Sequence, residues 1–597
     1  MKRNVTAIML CFALLLTMFT GCSNTSGDTP SPEVSKEADS DTGDAVSESG
    51  KVTENSGDVP TIRIANGRKG SDDLAVWPVD YIKKMEEALG IKVELVELSS
   101  DQFDLTLASS SASFDLCSVP SYKEQQVLDA KMAVNLENYL EEYGPDISKY
   151  EDRNNLAREF LSGGTGNLYF KRIQTGLELA GTDVWYGYVV RWDWYAELGY
   201  PRIDNDDDFL DVLEQMIKAH PANDAGGTTY GLGNYVGAGL WSWTIVKQAQ
   251  LGYFDYLPGM EVSMTNNEIY NSYTDDEASF WQAMEFFNKA YNKGLMDPDS
   301  FIMKSDDITQ KVVQGTYAGA IRTWDVGDYY NQEREKDPDT LKGYLSIPSN
   351  SNSGAWLRSN AIAGWEGNSW FVYTGSNNIE KAVMVLNYMD NEDNQREFYS
   401  GVEGVHWSYE NGVPGLTEEG VKLFTNGGDP LNQAGINGSE VGNILGYLMG
   451  SSGASYHSDG GTFDLTLAGD VIYETLNPLY QNYSDYYGVD YPAQAHENMV
   501  TDLSDYSTKR NKDITLVTGS NVPADMSRIN TQIRSLLESY IPDLVTAATW
   551  EDFNAVKSAA IAECEKAGSE ELFDWAKETY VEGSNILDAA KAKYDIE

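Results

Sequence analysis

The chain has 597 residues, 93 of them acidic and 43 basic, for a formal charge of −50. Such a surface repels phosphate backbones, which argues against nucleic acid as a partner, and disfavours anionic small molecules unless a local basic pocket intervenes. Beyond the first sixty or so residues, about 540 remain, too many for one core, so two or more domains are predicted.

At the N-terminus, Lys2 and Arg3 precede an apolar run from Val5 to Phe19 that ends at Gly21-Cys22. This is the pattern of an export signal, and the run is shorter than the roughly 20 apolar residues of a spanning helix. Residues 1–21 are read as a signal peptide. Thr20-Gly21-Cys22 resembles a lipobox, with Phe19 where Leu is usual, so Cys22 is expected to carry lipid (a palmitate-type anchor). An ordinary cleaved signal with an incidental cysteine is the alternative. Residues 23–58 are Ser, Thr, Asp, Glu, Gly and Pro rich and lack aromatics, which suits a disordered tether. Removal of Lys2 and Arg3 leaves 93 acidic against 41 basic residues, a charge of −52.

The folded part opens with a strand at Thr61–Ala65 and a helix with Val79, Ile82, Met85 and Leu89 on one face, closed by Gly90. Ile91, Val93 and Leu95 alternate as a strand, Gln102 to Ser109 reads as a helix, and Phe114 to Val119 as a further strand. Strands alternating with helices imply a parallel α/β layer. Helical stripes follow at Phe209–Ile217 behind Asp206 to Asp208, at Phe280–Tyr291, and at Ile379–Met389. The C-terminal region is helical, with stripes at Ile529–Tyr540, from Phe553, and at Leu572–Tyr580. Cys117 and Cys564 fall on core positions and read as buried thiols without a disulfide between them. The Gly/Ser-rich stretch 450–461 reads as an exposed loop near a ligand.

Catalytic motifs are absent. The four histidines, His220, His406, His457 and His496, are widely separated and form no metal-ligand spacing. A phosphate-binding GxxxxGK[ST] and a GxSxG elbow are missing, and Gly231-Leu232-Gly233 continues with the wrong spacing for a dinucleotide fingerprint. No cofactor is implied.

Aromatics make up 12% of the chain, and many stand among polar residues rather than in helical stripes. Trp185-Tyr186, Trp241-Ser242-Trp243, Trp324-Asp325, Trp356, Trp365, Trp370 and His406-Trp407 are examples. Flat rings beside Asp, Asn and Arg match the apolar faces and hydroxyl rims of sugars.

The order of segments resembles the extracellular solute-binding proteins of carbohydrate ABC importers, in the large lipoprotein type of Gram-positive bacteria. The resemblance runs from about Thr61 to the end. It rests on 104–109 followed by Phe114-Asp115-Leu116, on Leu168-Tyr169-Phe170, and on Val189-Val190-Arg191-Trp192-Asp193-Trp194 with Leu198-Gly199. The blocks 288–298, 312–320 and Gly401–Trp407 complete it.

The resemblance implies an α/β, two-lobed, periplasmic-binding-protein-like (type 2) fold with a hinge and a helical C-terminal region. Residues 59–186 plus 359–400 would form the N-terminal lobe and 187–358 plus 401–597 the C-terminal lobe. Cleft positions would be Ser121, Tyr122, Trp185, Trp241, Trp243, Trp324, Asp325, Trp365 and Trp407, the rings stacking on sugar and Asp325 accepting from hydroxyls. Some relatives carry a calcium loop before the strand matching Tyr230-Gly231-Leu232. Here 220–228 lacks the alternating oxygen ligands calcium needs, so no metal is expected there. The implied protein is a monomer with a membrane permease as partner. A lipid-anchored glycoside hydrolase and a surface sensor or adhesion protein on the same fold remain as alternatives.

Overall fold

The computed structural model describes residues 59–66, 79–96, 98–119, 123–172, 184, 186–236, 239–322, 327–331, 341–352, 369–424, 450–499 (save 452, 454 and 470), 517 and 522–596. The first lobe opens with β1 (Thr61–Asn66), α1 (Val79–Leu89), β2 (Lys92–Val96), α2 (Ser100–Ser109), β3 (Leu116–Ser118) and α3 (Glu151–Phe160). Both β2 and β3 pair with β1 in parallel, as the alternation of strands and helices predicts. Successive strand residues face opposite ways. Ile62, Ile64 and Leu116 therefore meet Tyr81 and Met85 of α1, while Ala65 and Cys117 meet Phe103 and Phe114 on the other side. Strand β3 is buried throughout, whereas β1 and β2 keep the alternation of a half-covered sheet, with Arg63, Lys92 and Glu94 exposed between apolar residues. Helix α1 stops at Gly90, whose φ of 62° is the left-handed conformation that ends helices without strain in glycine.

The second lobe contains β4 (Tyr186–Arg191), α4 (Trp192–Glu197), α5 (Asp206–Ala219) and α6 (Trp241–Leu251). There follow β5 (Tyr253–Phe254), β6 (Met260–Ser263), β7 (Ile269–Asn271), α7 (Ser279–Asn292), α8 (Ser305–Val313), β8 (Gly319–Arg322) and β9 (Tyr344–Ile347). Strand β4 is central and antiparallel to both β8 and β9. Tyr188, Val190 and Leu345 face a core shared with α5 and α7, and Val189 and Tyr344 face a second cluster with Tyr317 and Tyr330.

Arg191 ends β4 with no exposed surface. Its guanidinium pairs with Asp193 at 2.7 Å and Asp224 at 3.5 Å, and lies over the rings of Trp194 (4.4 Å) and Tyr330 (4.7 Å). A buried guanidinium is tolerated only when paired in this way.

The chain then returns to the first lobe as β10 (Trp370–Val372), antiparallel to β3 at the sheet edge, followed by α9 (Ile379–Asp390) and α10 (Glu392–Ser400). Asp390, fully buried, accepts from Arg153 (2.7 Å) and pairs with Lys171 (3.0 Å), tying α9 to α3 and to the strand-like segment beside Trp370.

The hairpin β11 (Trp407–Glu410) and β12 (Val413–Leu416) follows. The sequence reading places everything after residue 400 in the second lobe, and the structure differs. Arg396 binds Asp459 at 3.0 Å, Ser400 donates to the Phe463 carbonyl at 2.7 Å, and Gln395 accepts from the Ser451 amide at 2.6 Å. The described parts of 401–467 thus hang on α10. The described part of 450–461 is only in part an exposed loop: Ser451, Ser455 and His457 are buried, while Tyr456, Ser458 and Gly460 are exposed.

The chain rejoins the second core at Leu479 and Tyr483 of α11 (Pro478–Tyr487). It ends in α12 (Ala524–Thr546), α13 (Trp550–Ala567) and α14 (Ser569–Tyr594). Ile529, Ile533 and Leu537 recur every fourth residue and pack on α7. Asn288 of α7 donates to the carbonyls of Leu544, Val545 and Ala547, satisfying the end of α12.

Cys117 and Cys564 are both buried, as expected, and burial pushes the Cys564 thiol up to about 12. Helix α14 packs Ala576 and Tyr580 on the small β5–β6–β7 sheet, then sets Leu587 and Ala590 against Leu156 of α3 in the first lobe. Among the described residues no helix is long and apolar enough to cross a membrane.

Two predictions follow from these buried charges. Arg191→Met leaves Asp193 and Asp224 without their cation and should cost roughly 3–5 kcal/mol in chemical denaturation; a loss below about 1 kcal/mol would contradict the pairing. Glu261 on β6 is held by the Ser279 amide at 2.9 Å and the Ser279 hydroxyl, and burial raises its carboxyl to about 7. Between the ordinary glutamate value and 7 the folded state holds the extra proton, so this group's contribution to stability falls as pH rises through that window. Glu261→Gln should gain stability over wild type on going from pH 5 to pH 8, by a few kcal/mol in order of magnitude. A pH-independent difference would contradict the shift.

Candidate functional site

In open α/β sheets the ligand crevice lies beyond the carboxyl ends of the parallel strands. In the first lobe that edge is a row formed by Asn66 of β1, Ser118 of β3 and Trp370 at the start of β10, which the register places side by side. Behind it, the Val119 amide donates to the Ser369 carbonyl at 2.8 Å. The Ser369 hydroxyl donates to Glu124 at 2.7 Å, and Arg172 donates to both Ser369 (3.0 Å) and Glu124 (3.3 Å). A carboxylate, a guanidinium and a hydroxyl are therefore held together where the chain leaves the first lobe.

In the second lobe the matching edge is the start of β4 and the ends of β8 and β9. Tyr186 pairs with Arg322, and Tyr188 with Ile347. The β4–β8 register slips between Tyr186 and Val189, and Gly187 sits in the slip with φ of 128°. A Cβ there would come within 3.0 Å of the Ser346 hydroxyl and 3.1 Å of the Asn352 amide, so glycine lets β9 and the loop after it approach.

Arg322 is 1% exposed, and its guanidinium lies over the rings of Tyr235 (5.4 Å) and Trp241 (5.2 Å). The guanidinium–ring geometry orients both aromatics at the edge. Below them, Tyr188 donates to Asp206 at 2.8 Å, Lys247 binds the same carboxylate at 2.6 Å, and Gln250 joins Tyr188 (2.6 Å) to Ser351 (3.0 Å). This network fixes α6, whose first residue is Trp241, against β4 and the loop after β9.

The structure brings Trp241 to this edge half-buried. Two other expected contacts are corrected. Trp243 lies 1% exposed in the core, against Phe287 (4.9 Å) and stacked on Phe301 (5.7 Å). Two residues along a helix turn about 200°, so Trp241 and Trp243 point to opposite sides of α6. Trp407 is 6% exposed, donates its indole N–H to the Gly401 carbonyl at 2.8 Å and lies under Arg396, so it braces the β11–β12 hairpin. Ser121, Tyr122, Trp185, Trp324, Asp325, Trp365 and Cys22 lie outside the described residues. Their neighbours Val119, Tyr186 and Arg322 are on the two edges.

Sequence reasoning missed Arg322, Tyr235, Glu124, Arg172 and Ser369. Arg322 stands two residues before Trp324, and Tyr235 within the stretch dismissed as a failed dinucleotide motif, so position beside a recognised segment was the available signal.

The four histidines have structural surroundings. His220 stacks on Trp194 at 4.5 Å, His406 Nδ1 accepts from the Val402 amide, and His457 lies between Asp393 and Asp459. His496 is buried against the Ser346 carbonyl, and burial lowers it to about 4. Among the described residues no group of three His, Cys, Asp or Glu side chains is arranged to hold a metal ion.

In the loop 220–228, Asn223 accepts from the amides of Ala225 and Gly227 and donates to Thr316. Asp224 binds Tyr330, Arg191 and Lys342. Desolvation opposes ionisation of Asp224, and these three donors overcome it, leaving its carboxyl below the ordinary value. Protein cations thus neutralise the acid of this loop.

No known protein-family profile matches the sequence. The Bacillus subtilis protein named Lipoprotein LipO is 23% identical over 230 residues, 38% of this chain and 44% of that protein, so the match spans less than half of its length. The fold matches far more widely. An HMO-binding, ABC-transporter-associated solute-binding protein from Bifidobacterium longum infantis superposes with a TM-score of 0.56 at 14% identity, over 87% of this chain and 98% of that one. The Streptococcus pneumoniae ABC-transporter substrate-binding protein FusA, an EF-hand mutant in complex with fructo-nystose, gives 0.55 at 12% identity over 89% and 100%. This chain therefore has the two-lobed α/β fold of the ABC-transporter solute-binding proteins.

Proposed function

We propose that this protein is the extracellular substrate-binding component of an ABC importer. It captures a neutral oligosaccharide in the crevice between its lobes, without turnover, and delivers it as a monomer to a membrane permease. A lipid on Cys22 would hold it at the outer face of the membrane, in keeping with its similarity to a lipoprotein. The observation that carries the reading is the Arg322–Tyr235–Trp241 cluster at the edge of the second sheet, in a fold whose solved examples include HMO-binding and fructo-nystose-bound proteins.

Rings presented beside fixed hydrogen-bonding groups are what a sugar's C–H faces and hydroxyls require. The first lobe offers Glu124, Arg172 and Ser369 at its own edge. A ligand contacting both edges gains its full set of contacts only when the lobes approach, so it shifts the open–closed equilibrium toward closure. Ser121 and Tyr122, continuing from Val119, would complete the first edge. Trp185, Trp324 and Asp325, flanking Tyr186 and Arg322, would complete the second, and Trp365 would lie on the returning segment.

The full chain in detergent should show a rise in melting temperature with neutral oligosaccharides and no sugar product. A ligand at a hundredfold excess over Kd adds about 2.7 kcal/mol. No shift with any saccharide, or release of product, would contradict the proposal. For the saccharide that binds, Trp241→Ala should weaken affinity by about 30-fold in calorimetry, roughly 2 kcal/mol for a central aromatic contact. Unchanged affinity would remove Trp241 from the site.

A further inference from the structure

Beyond Trp241 on the side of α12, the second lobe encloses a separate cavity of about 380 Å³. Trp241, Thr244 and Gln248 line one wall at the helical spacing of a single face of α6. The turn from Asp255 to Glu261 forms the floor, and Asn530 and Arg534, one turn apart on α12, form the opposite wall. Tyr256, Tyr273 and Phe280 supply further ring surface.

The polar groups are held in place. Tyr273 donates to Asn530 at 2.5 Å, and Gln248, 5% exposed, reaches Glu261 at 3.5 Å. Glu261 is 3% exposed. Asp255 remains accessible to solvent within the cavity, yet desolvation by the surrounding walls raises its carboxyl above the ordinary aspartate value.

The volume lies at the small end of ligand pockets, which run from about 300 to 1,000 Å³, and suits one or two sugar rings rather than a chain. Two carboxyl groups and one guanidinium offer the hydroxyls of a sugar both acceptors and donors. Trp241 is the shared wall: it lines this cavity, and the Arg322 guanidinium of the cleft edge lies over its ring.

We infer that this cavity is a second carbohydrate pocket, receiving a terminal neutral sugar unit of the oligosaccharide whose remainder lies in the cleft. The inference rests on the carbohydrate reading of the cleft. It makes the protein selective for chain length, because only an oligosaccharide long enough to pass Trp241 reaches Asp255 and Asn530.

The test is calorimetric titration of the full chain in detergent with neutral oligosaccharides from two to about six units, for wild type, Asn530→Ala and the pocket-filling Thr244→Phe. The expected result is a tenfold or greater weakening of the longest binder with the shortest binder changed less than twofold. Wild-type affinities in both variants for every length would overturn the pocket and leave the cleft reading standing. An equal loss for short and long saccharides would also overturn it, as structural damage. Absence of saccharide binding by wild type would overturn both readings together. Carbodiimide footprinting of wild type is independent of whether the variants fold. Asp255 should be protected by the longest binder and not by the shortest, and equal labelling with both would contradict the proposal.

Discussion

The second lobe is organised by two buried guanidinium groups at opposite ends of one three-stranded sheet. Arg191 closes the end of β4 with acid partners and aromatic rings around it, and Arg322 closes β8 at the other end over Tyr235 and Trp241. Burying such a cation is costly, so the surroundings of each are constrained to compensate it. At the Arg191 end this fixes α4, the 220–228 loop and the Tyr330 segment. At the Arg322 end the same requirement fixes the aromatic surface where a ligand would dock. One sheet thus carries a closed ion-pair cluster at one end and a fixed pair of aromatic rings at the other.

The first lobe solves an equivalent problem with Asp390, which gathers Arg153 and Lys171 in a fully buried cluster. Burial pulls Lys171 down to about 8, the charge of Asp390 opposing the shift. The cluster lies where α9 turns into α10 and where Ser451 and Gln395 tie in the segment beyond the hairpin. Helix α14 provides a second link. It is rooted in the second lobe through Leu572, and at its far end meets α3 through Leu587, Ala590 and the Lys593–Glu159 pair. If the lobes close on a ligand, the motion would have to be accommodated along a helix rooted in the second core and packed at its far end on α3.

Much of this was legible in the sequence because it depends on local periodicity. The stripes of α1, α5, α7, α9 and the three C-terminal helices, the parallel order of the first strands, and the buried state of Cys117 and Cys564 all follow from apolar spacing. The errors share a different origin. Trp241 and Trp243 look alike beside polar neighbours, and only the helical turn between them separates an edge residue from a core residue. Trp407 and the 450–461 stretch look like surface loop, but a bond to Gly401 helps bury Trp407, and bonds from Ser451 and Asp459 to α10, across some sixty residues, pin part of the stretch. The third passage between lobes was placed near Ser400, whereas Ser400 itself anchors Leu465 and the passage follows later. Arg322 and the Glu124–Arg172–Ser369 cluster arise from partners far apart in sequence, for which periodicity carries no signal.

The central claim is that the two edges are halves of one ligand site that closes. Small-angle X-ray scattering of the full chain in detergent, with and without a saturating oligosaccharide found to bind, tests it most directly. A reproducible fall in the protein's radius of gyration on saturation is the predicted result. Binding with no change in scattering would contradict it, because the ligand would then be held without bringing the edges together.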